Sequence, residues 1–316
     1  MTERIRIGVA GAGVFGGYHC AKVADLSRAE LVGVYDIDRQ RAKALADRFG
    51  ARAIEQFPAL LDIVDAVVIA APAFAHYALA HEALTAGKHV FLEKPIALNT
   101  AEASRLIDLA GANGVVLQVG HQERYVAEAA GLLDRRASPV KIECRRQTSA
   151  SGRCEDVSVV LDLMIHDLDL VRKLTGAEID TVAASGDAHA AQADLQLSNG
   201  AVVSLTASRR ASAPERRMTL IYDDGVIEFD FVNRKAANTT PRPLRSDFNG
   251  DASPLAFRDP LAFGANAFVA AIDSRKTPVV SGEDGRRALE WALAIENAAG
   301  INAETEFAPR EQRRRA

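Results

Sequence analysis

The first 120 residues alternate short apolar runs with stretches in which apolar side chains recur at helical spacing. The runs are too short for helices and predict strands at residues 5–10, 31–35, 66–70, 89–92 and 115–120. Helical patterns follow at about 17–25, 38–49, 75–86 and 99–113. Asn99 with Glu102 predicts a capped start for the last of these. Strands alternating with helices of this length predict βαβ units and a parallel sheet.

A different pattern begins near residue 122. Strands are predicted at 140–147, 194–197, 202–208, 219–222 and 226–231, with helices at 159–175, 260–274 and 283–299. Asn199-Gly200 and Asp224-Gly225 predict two-residue type I′ hairpins, and the polar stretch 234–259 predicts a loop. The second half, residues 122–316, is therefore expected to be an α+β domain with a mainly antiparallel sheet.

Composition narrows the functional classes. The 38 basic and 42 acidic side chains give a net charge of −4, which argues against a nucleic-acid binder. Three cysteines in 316 residues argue against a disulfide framework and for a reducing compartment. No apolar run reaches the length of a membrane helix, and the first residues lack the apolar core of a signal peptide. A soluble cytoplasmic protein is expected.

A glycine-rich turn, Gly11-x-Gly13-x-x-Gly16, follows the first predicted strand and opens a helix. This context is typical of dinucleotide binding, with the pyrophosphate at the helix N-terminus. Asp36 follows the last glycine by 20 residues, where a carboxylate accepts from the ribose 2′-hydroxyl and disfavours a 2′-phosphate. The pattern predicts a Rossmann domain over residues 1–121 that binds NAD. Nearby Arg39 leaves NADP open, and a glycine turn without a ligand is the alternative.

Glu93 and Lys94 directly follow the predicted strand 89–92. Ligands of open α/β sheets bind beyond the carboxyl ends of their strands. A lysine there could polarise a substrate oxygen or relay a proton, and burial can move its pKa. The alternative is an ion pair that caps the strand end.

Asp162, His166 and Asp169 are spaced to lie on one side of a helix. A histidine oriented by a carboxylate is a competent general base near neutral pH. The open alternatives are capping or salt-bridge acids and a hydrogen-bonded core histidine. Two carboxylates and one histidine make an incomplete zinc set, so no metal site is predicted.

These motifs together resemble the Gfo/Idh/MocA family of NAD(P)-dependent oxidoreductases. The resemblance rests on the glycine loop, Glu93-Lys94-Pro95, the pair Asp162 and His166, and residues 280–290. It implies that Lys94, Asp162 and His166 form a catalytic set and that Glu93 helps to hold the nicotinamide half of the cofactor. The glycines that many members carry around the aspartate are absent at 158–161 and 164, which points to a subgroup.

The family pattern also implies the remaining cofactor contacts. With those above, the expected cofactor-binding residues are Gly11, Ala12, Gly13, Val14, Phe15, Gly16, Asp36, Arg39, Ala71, Pro72, His76, Glu93, Lys94 and Gln122. Ala73 stands where the family often has asparagine, so one contact is expected to be missing.

Residues 119–125, 156–169 and 205–209 resemble the nucleotide-sugar branch of the family. In particular, they resemble the members of that branch that oxidise the C3 hydroxyl of UDP-N-acetylglucosamine to a ketone, on the way to a 3-amino sugar of lipid A. Arginines make bidentate contacts to phosphate, and the candidates for the diphosphate are Arg124, Arg145, Arg153 and Arg209. Ordinary ion pairs are the alternative for each of them.

Two other functions remain open. One is a dehydrogenase of a free polyol or sugar such as myo-inositol. The other is a non-catalytic NAD-binding regulator, against which Lys94, Asp162 and His166 argue. The expected partner is a sugar or nucleotide-sugar substrate, with no nucleic acid and no membrane. The resemblance further implies an active site between the two domains, and a homodimer or homotetramer formed through the open face of the second sheet.

Overall fold

A computed structural model describes residues 4–134, 137–149, 156–245 and 254–301. The chain divides into two compact units, each made of two segments. The first unit is Met1–Tyr125 with Arg258–Arg286, and the second is Val126–Phe257 with Arg287–Ala316. A single boundary after residue 121 does not describe this division, because the later segment returns to the first unit.

The first unit is built on a parallel six-stranded sheet. Its strands are β1 (Ile5–Ala10), β2 (Ala29–Tyr35), β3 (Arg52–Ile54), β4 (Ala66–Ile69), β5 (His89–Leu92) and β6 (Leu117–Val119). Their order, β3-β2-β1-β4-β5-β6, is that of a dinucleotide-binding Rossmann sheet. The strand order reverses between β1 and β4, and this reversal marks where a ligand binds.

Ten α-helices lie within the described ranges. They are α1 (Val14–Ala24), α2 (Arg39–Phe49), α3 (Phe57–Leu61), α4 (Ala73–Thr85), α5 (Thr100–Asn113), α6 (Gln122–Ala130), α7 (Ile165–Thr175), α8 (Leu255–Arg258), α9 (Pro260–Ser274) and α10 (Gly282–Ala299). The predicted start of α5 is confirmed, because the side chain of Asn99 accepts from the N–H of Glu102. Gly50 and Gly114, both left-handed, end α2 and α5.

Helix α9 packs into the core of the first unit. Ala265, Phe268 and Val269 are buried in the same cluster as Val9 and Phe91. The rings of Phe91 and Phe268 meet edge to face, with 5.8 Å between their centroids. This apolar face explains why the segment from Arg258 rejoins the first unit.

The second unit contains a seven-stranded sheet in the order β13-β12-β11-β7-β10-β9-β8. The strands are β7 (Lys141–Gln147), β8 (Ile179–Gly186), β9 (Ala190–Leu197), β10 (Val202–Ser208), β11 (Glu215–Tyr222), β12 (Gly225–Asp230) and β13 (Lys235–Asn238). Neighbouring strands are antiparallel except β7 and β10, which pair in parallel. The predicted α+β class with a mainly antiparallel sheet is confirmed.

Both hairpins form, but neither is the predicted type I′ turn. Asn199 has a negative φ and only Gly200 is left-handed, so this connection is a three-residue loop with a glycine bulge. In the second hairpin Tyr222 pairs with Gly225, so the turn residues are Asp223 and Asp224, which also have negative φ. The stretch 234–259 is likewise not all loop, since it contains β13 and α8.

The predicted helix 159–175 begins with a π-helical segment, Val160–Met164, and continues as α7. The hydroxyl of Ser158 accepts from the N–H groups of Val160 and Leu161, at 3.1 and 3.2 Å. π-Helical turns inside α-helices are frequent at functional sites. Gly176, left-handed at φ 62°, ends the helix.

Within the described residues, no helix is both long and apolar enough to span a membrane.

Candidate active site

The three glycines of the loop after β1 have different surroundings. A Cβ on Gly11 would lie 2.6 Å from the carbonyl oxygen of Ala70, and its φ is +106°. A Cβ on Gly16 would lie 1.8 Å from the carbonyl oxygen of Gly11. A Cβ on Gly13, at the start of α1, would meet nothing within 4 Å. Gly11 and Gly16 are therefore required by the fold, while Gly13 leaves room for close approach of a phosphate group.

Asp36 links the end of β2 to this loop. Its carboxylate accepts from the N–H of Ala12 at 2.6 Å and from the N–H of Asp38 at 2.8 Å. Arg39, at the first position of α2, pairs with Glu55 at 3.1 Å, and both side chains are largely exposed. The loop, the acid and the helix N-terminus fit the adenosine and pyrophosphate of a dinucleotide.

Glu93 and His19 form a buried pair that the sequence analysis did not predict. Glu93 Oε1 lies 2.8 Å from His19 Nε2, and a Cβ on Gly120 would lie 2.7 Å from Glu93 Oε2. Burial opposes ionisation of Glu93, but the hydrogen bond and charge of His19, with the charges of Lys94 and His76, outweigh it and hold its pKa below the usual value. No local spacing in the sequence links His19 to Glu93, because the two residues are 74 positions apart.

Lys94 follows Glu93 at the carboxyl end of β5 and is half-buried. The next peptide bond, to Pro95, is cis. His76 lies with Nδ1 2.7 Å from the Pro95 carbonyl oxygen and Nε2 2.9 Å from that of Ala71. The histidine therefore joins the segments that follow β4 and β5, and it is 1% exposed. Among the predicted cofactor residues, His76 supports the backbone of the site.

Arg124, a predicted diphosphate contact, is 2% exposed. Its guanidinium lies 3.4 Å from Asp284. Asp284 forms a capping box with Ser281 at the start of α10, with each side chain accepting from the other's N–H. Gln122, a predicted cofactor contact, begins α6 and is half-buried. The burial of Arg124 favours the ion-pair alternative.

In the second unit, Asp162 lies on the π-helical segment and is 8% exposed. Arg209 donates to Asp162 Oδ2 from Nε at 3.2 Å and from Nη2 at 3.0 Å. His166 follows four residues later on α7 and is half-buried, and Asp169 is buried. The sequence predicts Asp162 as a functional acid, but it does not predict the pairing with Arg209, which is expected at the diphosphate instead.

A second buried arginine contacts the same helix. Arg146 donates to both oxygens of Asp167, from Nε at 3.0 Å and from Nη2 at 2.7 Å. Its neighbour on β7, Arg145, is exposed. Arg153, the remaining diphosphate candidate, lies outside the described residues. Three of the four predicted arginines lie in the described residues, and among these three Arg145 alone has an exposed side chain.

Glu296 on α10 is a buried acid that approaches the start of the π-helical segment. It is 5% exposed and forms a hydrogen bond with Ser158. Burial raises the pKa of Glu296 above its usual value, although the hydrogen bond from Ser158 opposes the shift. The folded protein therefore binds a proton at pH values where the unfolded chain has lost it.

Replacing Glu296 by glutamine is expected to stabilise the protein near neutral pH. Stability that depends on protonated Glu296 is present below the unfolded pKa and is lost as pH rises through the raised folded pKa. The glutamine side chain keeps a hydrogen-bonding group without this titration. Thermal unfolding should show a higher midpoint for Glu296→Gln near neutral pH, and the gain should shrink towards pH of about 4. A gain that is the same at every pH would contradict this assignment.

Comparison with known proteins identifies the family. The family model for oxidoreductases with an NAD-binding Rossmann fold matches residues 5–121, and the model of the Gfo/Idh/MocA C-terminal domain matches residues 140–228. The chain is 37% identical over 310 residues to the UDP-N-acetylglucosamine 3-dehydrogenase of Acidithiobacillus ferrooxidans, covering 92% of this chain and 96% of that protein. The chain belongs to the Gfo/Idh/MocA family.

Similarity to known proteins extends over nearly the whole chain. A solved structure of the Acidithiobacillus ferrooxidans enzyme has a TM-score of 0.87 and 36% identity, covering 94% of this chain and 98% of that one. The myo-inositol 2-dehydrogenase of Thermotoga maritima is 27% identical over 93% of this chain and 96% of its own length. Membership of the family makes the protein an NAD-dependent oxidoreductase and confirms the predicted Rossmann fold and cofactor.

Asp36 is expected to decide between NAD and NADP. In Asp36→Ser, the charge that repels a 2′-phosphate is gone and Arg39 remains close by. The ratio of NADPH to NADH affinity should rise about tenfold or more, as measured by cofactor fluorescence titration. Adding Arg39→Ala should cancel most of the gain. An unchanged ratio would show that discrimination lies elsewhere.

Proposed function

We propose that the protein oxidises the C3 hydroxyl of UDP-N-acetylglucosamine to a ketone, with NAD⁺ as hydride acceptor. The observation that carries the proposal is the 37% identity, over nearly the full length of both chains, to an enzyme of that name. A ketone at C3 is the form on which an aminotransferase can act. The product would thus supply a 3-amino sugar of the kind used in lipid A.

The cofactor is assigned to the first unit. The loop at Gly13 and the carboxylate of Asp36 would hold its pyrophosphate and adenosine ribose, and Glu93 would hold the nicotinamide half. NAD⁺, when bound, takes the hydride that leaves the sugar carbon. The buried pair of His19 and Glu93 supports this assignment, because it keeps a carboxylate ionised at the carboxyl end of β5.

Three side chains are assigned to the oxidation of the hydroxyl group, two that act on it directly and one that acts through His166. His166 accepts the hydroxyl proton as the hydride leaves the same carbon, so one O–H and one C–H bond break while the C=O double bond forms. Asp162 orients His166 from one helical turn earlier. Lys94 polarises the substrate oxygen and is the alternative proton acceptor.

The first test is NADH formation, followed by absorbance, with NAD⁺ and UDP-N-acetylglucosamine. Inositol and free glucose serve as controls. Because such equilibria favour the alcohol, the assay should include a carbonyl trap, or an aminotransferase with glutamate. Turnover of the UDP-sugar alone is the expected result. Cofactor binding without its turnover would overturn this substrate.

A polyol dehydrogenase is the second candidate. It is favoured by the full-length similarity to the myo-inositol 2-dehydrogenase of Thermotoga maritima. Turnover of inositol without turnover of the UDP-sugar would establish it. Binding of NAD⁺ with no turnover of either would instead favour a regulator that senses the cofactor.

A further inference from the structure

Arg209 directly follows β10, and several hydrogen bonds hold both its backbone and its side chain in place. Its N–H donates to the carbonyl oxygen of His189 at 2.8 Å, and its side chain is 8% exposed. The guanidinium donates twice to Oδ2 of Asp162 and also to the carbonyl oxygen of Val157 at 2.9 Å. A longer contact, 3.3 Å, reaches the carbonyl oxygen of Ser158. One side chain therefore fixes both the acid and the turn that leads into its helix.

These hydrogen bonds offset the cost of burying the carboxylate of Asp162. A buried carboxylate is costly unless it is paired and hydrogen-bonded. The planar guanidinium satisfies that need with directed donors, whereas an ammonium would supply one movable charge. Both donations to Asp162 fall on Oδ2, so Arg209 holds the carboxylate through one of its two oxygens.

We propose that Arg209 is a positioning residue for the dehydrogenase reaction. It holds the carboxylate of Asp162 in a fixed orientation on the π-helical segment, and acts through Asp162 on His166. It does not bind the substrate diphosphate. The inference rests on the catalytic roles proposed above for Asp162 and His166.

The two roles for Arg209 predict different kinetics. Loss of a diphosphate contact removes binding energy and raises KM for a UDP-sugar. Loss of a positioning contact lowers kcat and leaves KM nearly unchanged, because the ground-state contacts of the substrate persist. The split between kcat and KM therefore separates the two roles.

The test compares Arg209→Gln and Arg209→Lys with a matched control, Arg146→Gln. Arg146 is also a buried arginine paired with an aspartate of the same helix, but its partner is Asp167. For Arg209→Gln, kcat with UDP-N-acetylglucosamine should fall about thirtyfold, while KM changes less than about threefold. Arg209→Lys should recover part of kcat. Arg146→Gln should lower the unfolding temperature similarly but keep kcat near the wild-type value.

Each other outcome would overturn a specific part of the proposal. A large rise in KM with kcat retained would make Arg209 a diphosphate contact. An equal loss of kcat in Arg146→Gln would reduce its role to general support of the helix. If the wild-type protein turns over inositol and not the UDP-sugar, only the proposed substrate fails, and the same comparison with inositol should still show the loss of kcat. No turnover of either by the wild-type protein overturns the proposed function, and with it this role.

Discussion

Replacing Lys94 by alanine is expected to lower kcat about a thousandfold while the Kd for NAD⁺ changes less than about threefold. Lys94 is half-buried directly beyond β5, where ligands of such sheets bind. The alanine variant loses the charge that polarises the hydroxyl oxygen. The adenosine and pyrophosphate contacts of Gly13 and Asp36 are left in place. Steady-state kinetics and a fluorescence titration with NADH measure the two quantities.

Lys88 provides the matched control. It precedes the amino end of the same strand, where its Nζ donates to the carbonyl oxygen of Val64 at 3.0 Å. Lys88→Ala removes an equal charge and should keep kcat within about threefold of the wild-type value. Equal losses of kcat and NAD⁺ affinity in Lys94→Ala would instead assign Lys94 to the alternative role, an ion pair that supports the strand end.

The nucleotide-binding unit was predictable because its signals are local in sequence. The glycine spacing, the strand before it and the acid after β2 all lie within 36 residues. Strand β3 was missed because its three residues carry no buried apolar side chain. Periodicity identifies the apolar face of α9 but not the surface that covers it.

The charged pairs of the candidate site depend on contacts that are distant in sequence. His19 and Glu93 are 74 residues apart, and Asp162 and Arg209 are 47 apart. A single sequence shows a histidine, an acid or an arginine at each of these positions, but the fold decides which two meet. Hence the sequence predicts the helix that carries Asp162, but it does not predict that Arg209 pairs with this acid.

The sequence predicts the positions of both hairpins correctly but their turn type wrongly, and this error has a different cause. Asn-Gly and Asp-Gly pairs permit a type I′ turn, but they also suit other turns that need one flexible residue. The register of β9 with β10 and of β11 with β12 decides which turn forms. Register is set by the buried faces of the strands, which the turn residues do not encode.

Gly13→Ala and Gly16→Ala are expected to fail in different ways. A Cβ on Gly13 would meet nothing within 4 Å, so Gly13→Ala should fold with nearly unchanged stability. The methyl group would occupy the space through which the pyrophosphate approaches, so NADH affinity should fall about tenfold or more. A Cβ on Gly16 would overlap the carbonyl oxygen of Gly11 at 1.8 Å. Gly16→Ala should therefore lower the unfolding temperature before any cofactor is added.

Thermal unfolding and NADH titration of the two variants separate the two kinds of requirement. Gly17→Ala is the matched control, since its Cβ would meet a single side-chain atom of Leu45 at an ordinary 3.7 Å. It should keep both stability and NADH affinity. A Gly13→Ala variant that binds NADH normally would place the pyrophosphate away from this helix N-terminus. Loss of stability in Gly13→Ala equal to that in Gly16→Ala would show that both glycines serve the fold alone.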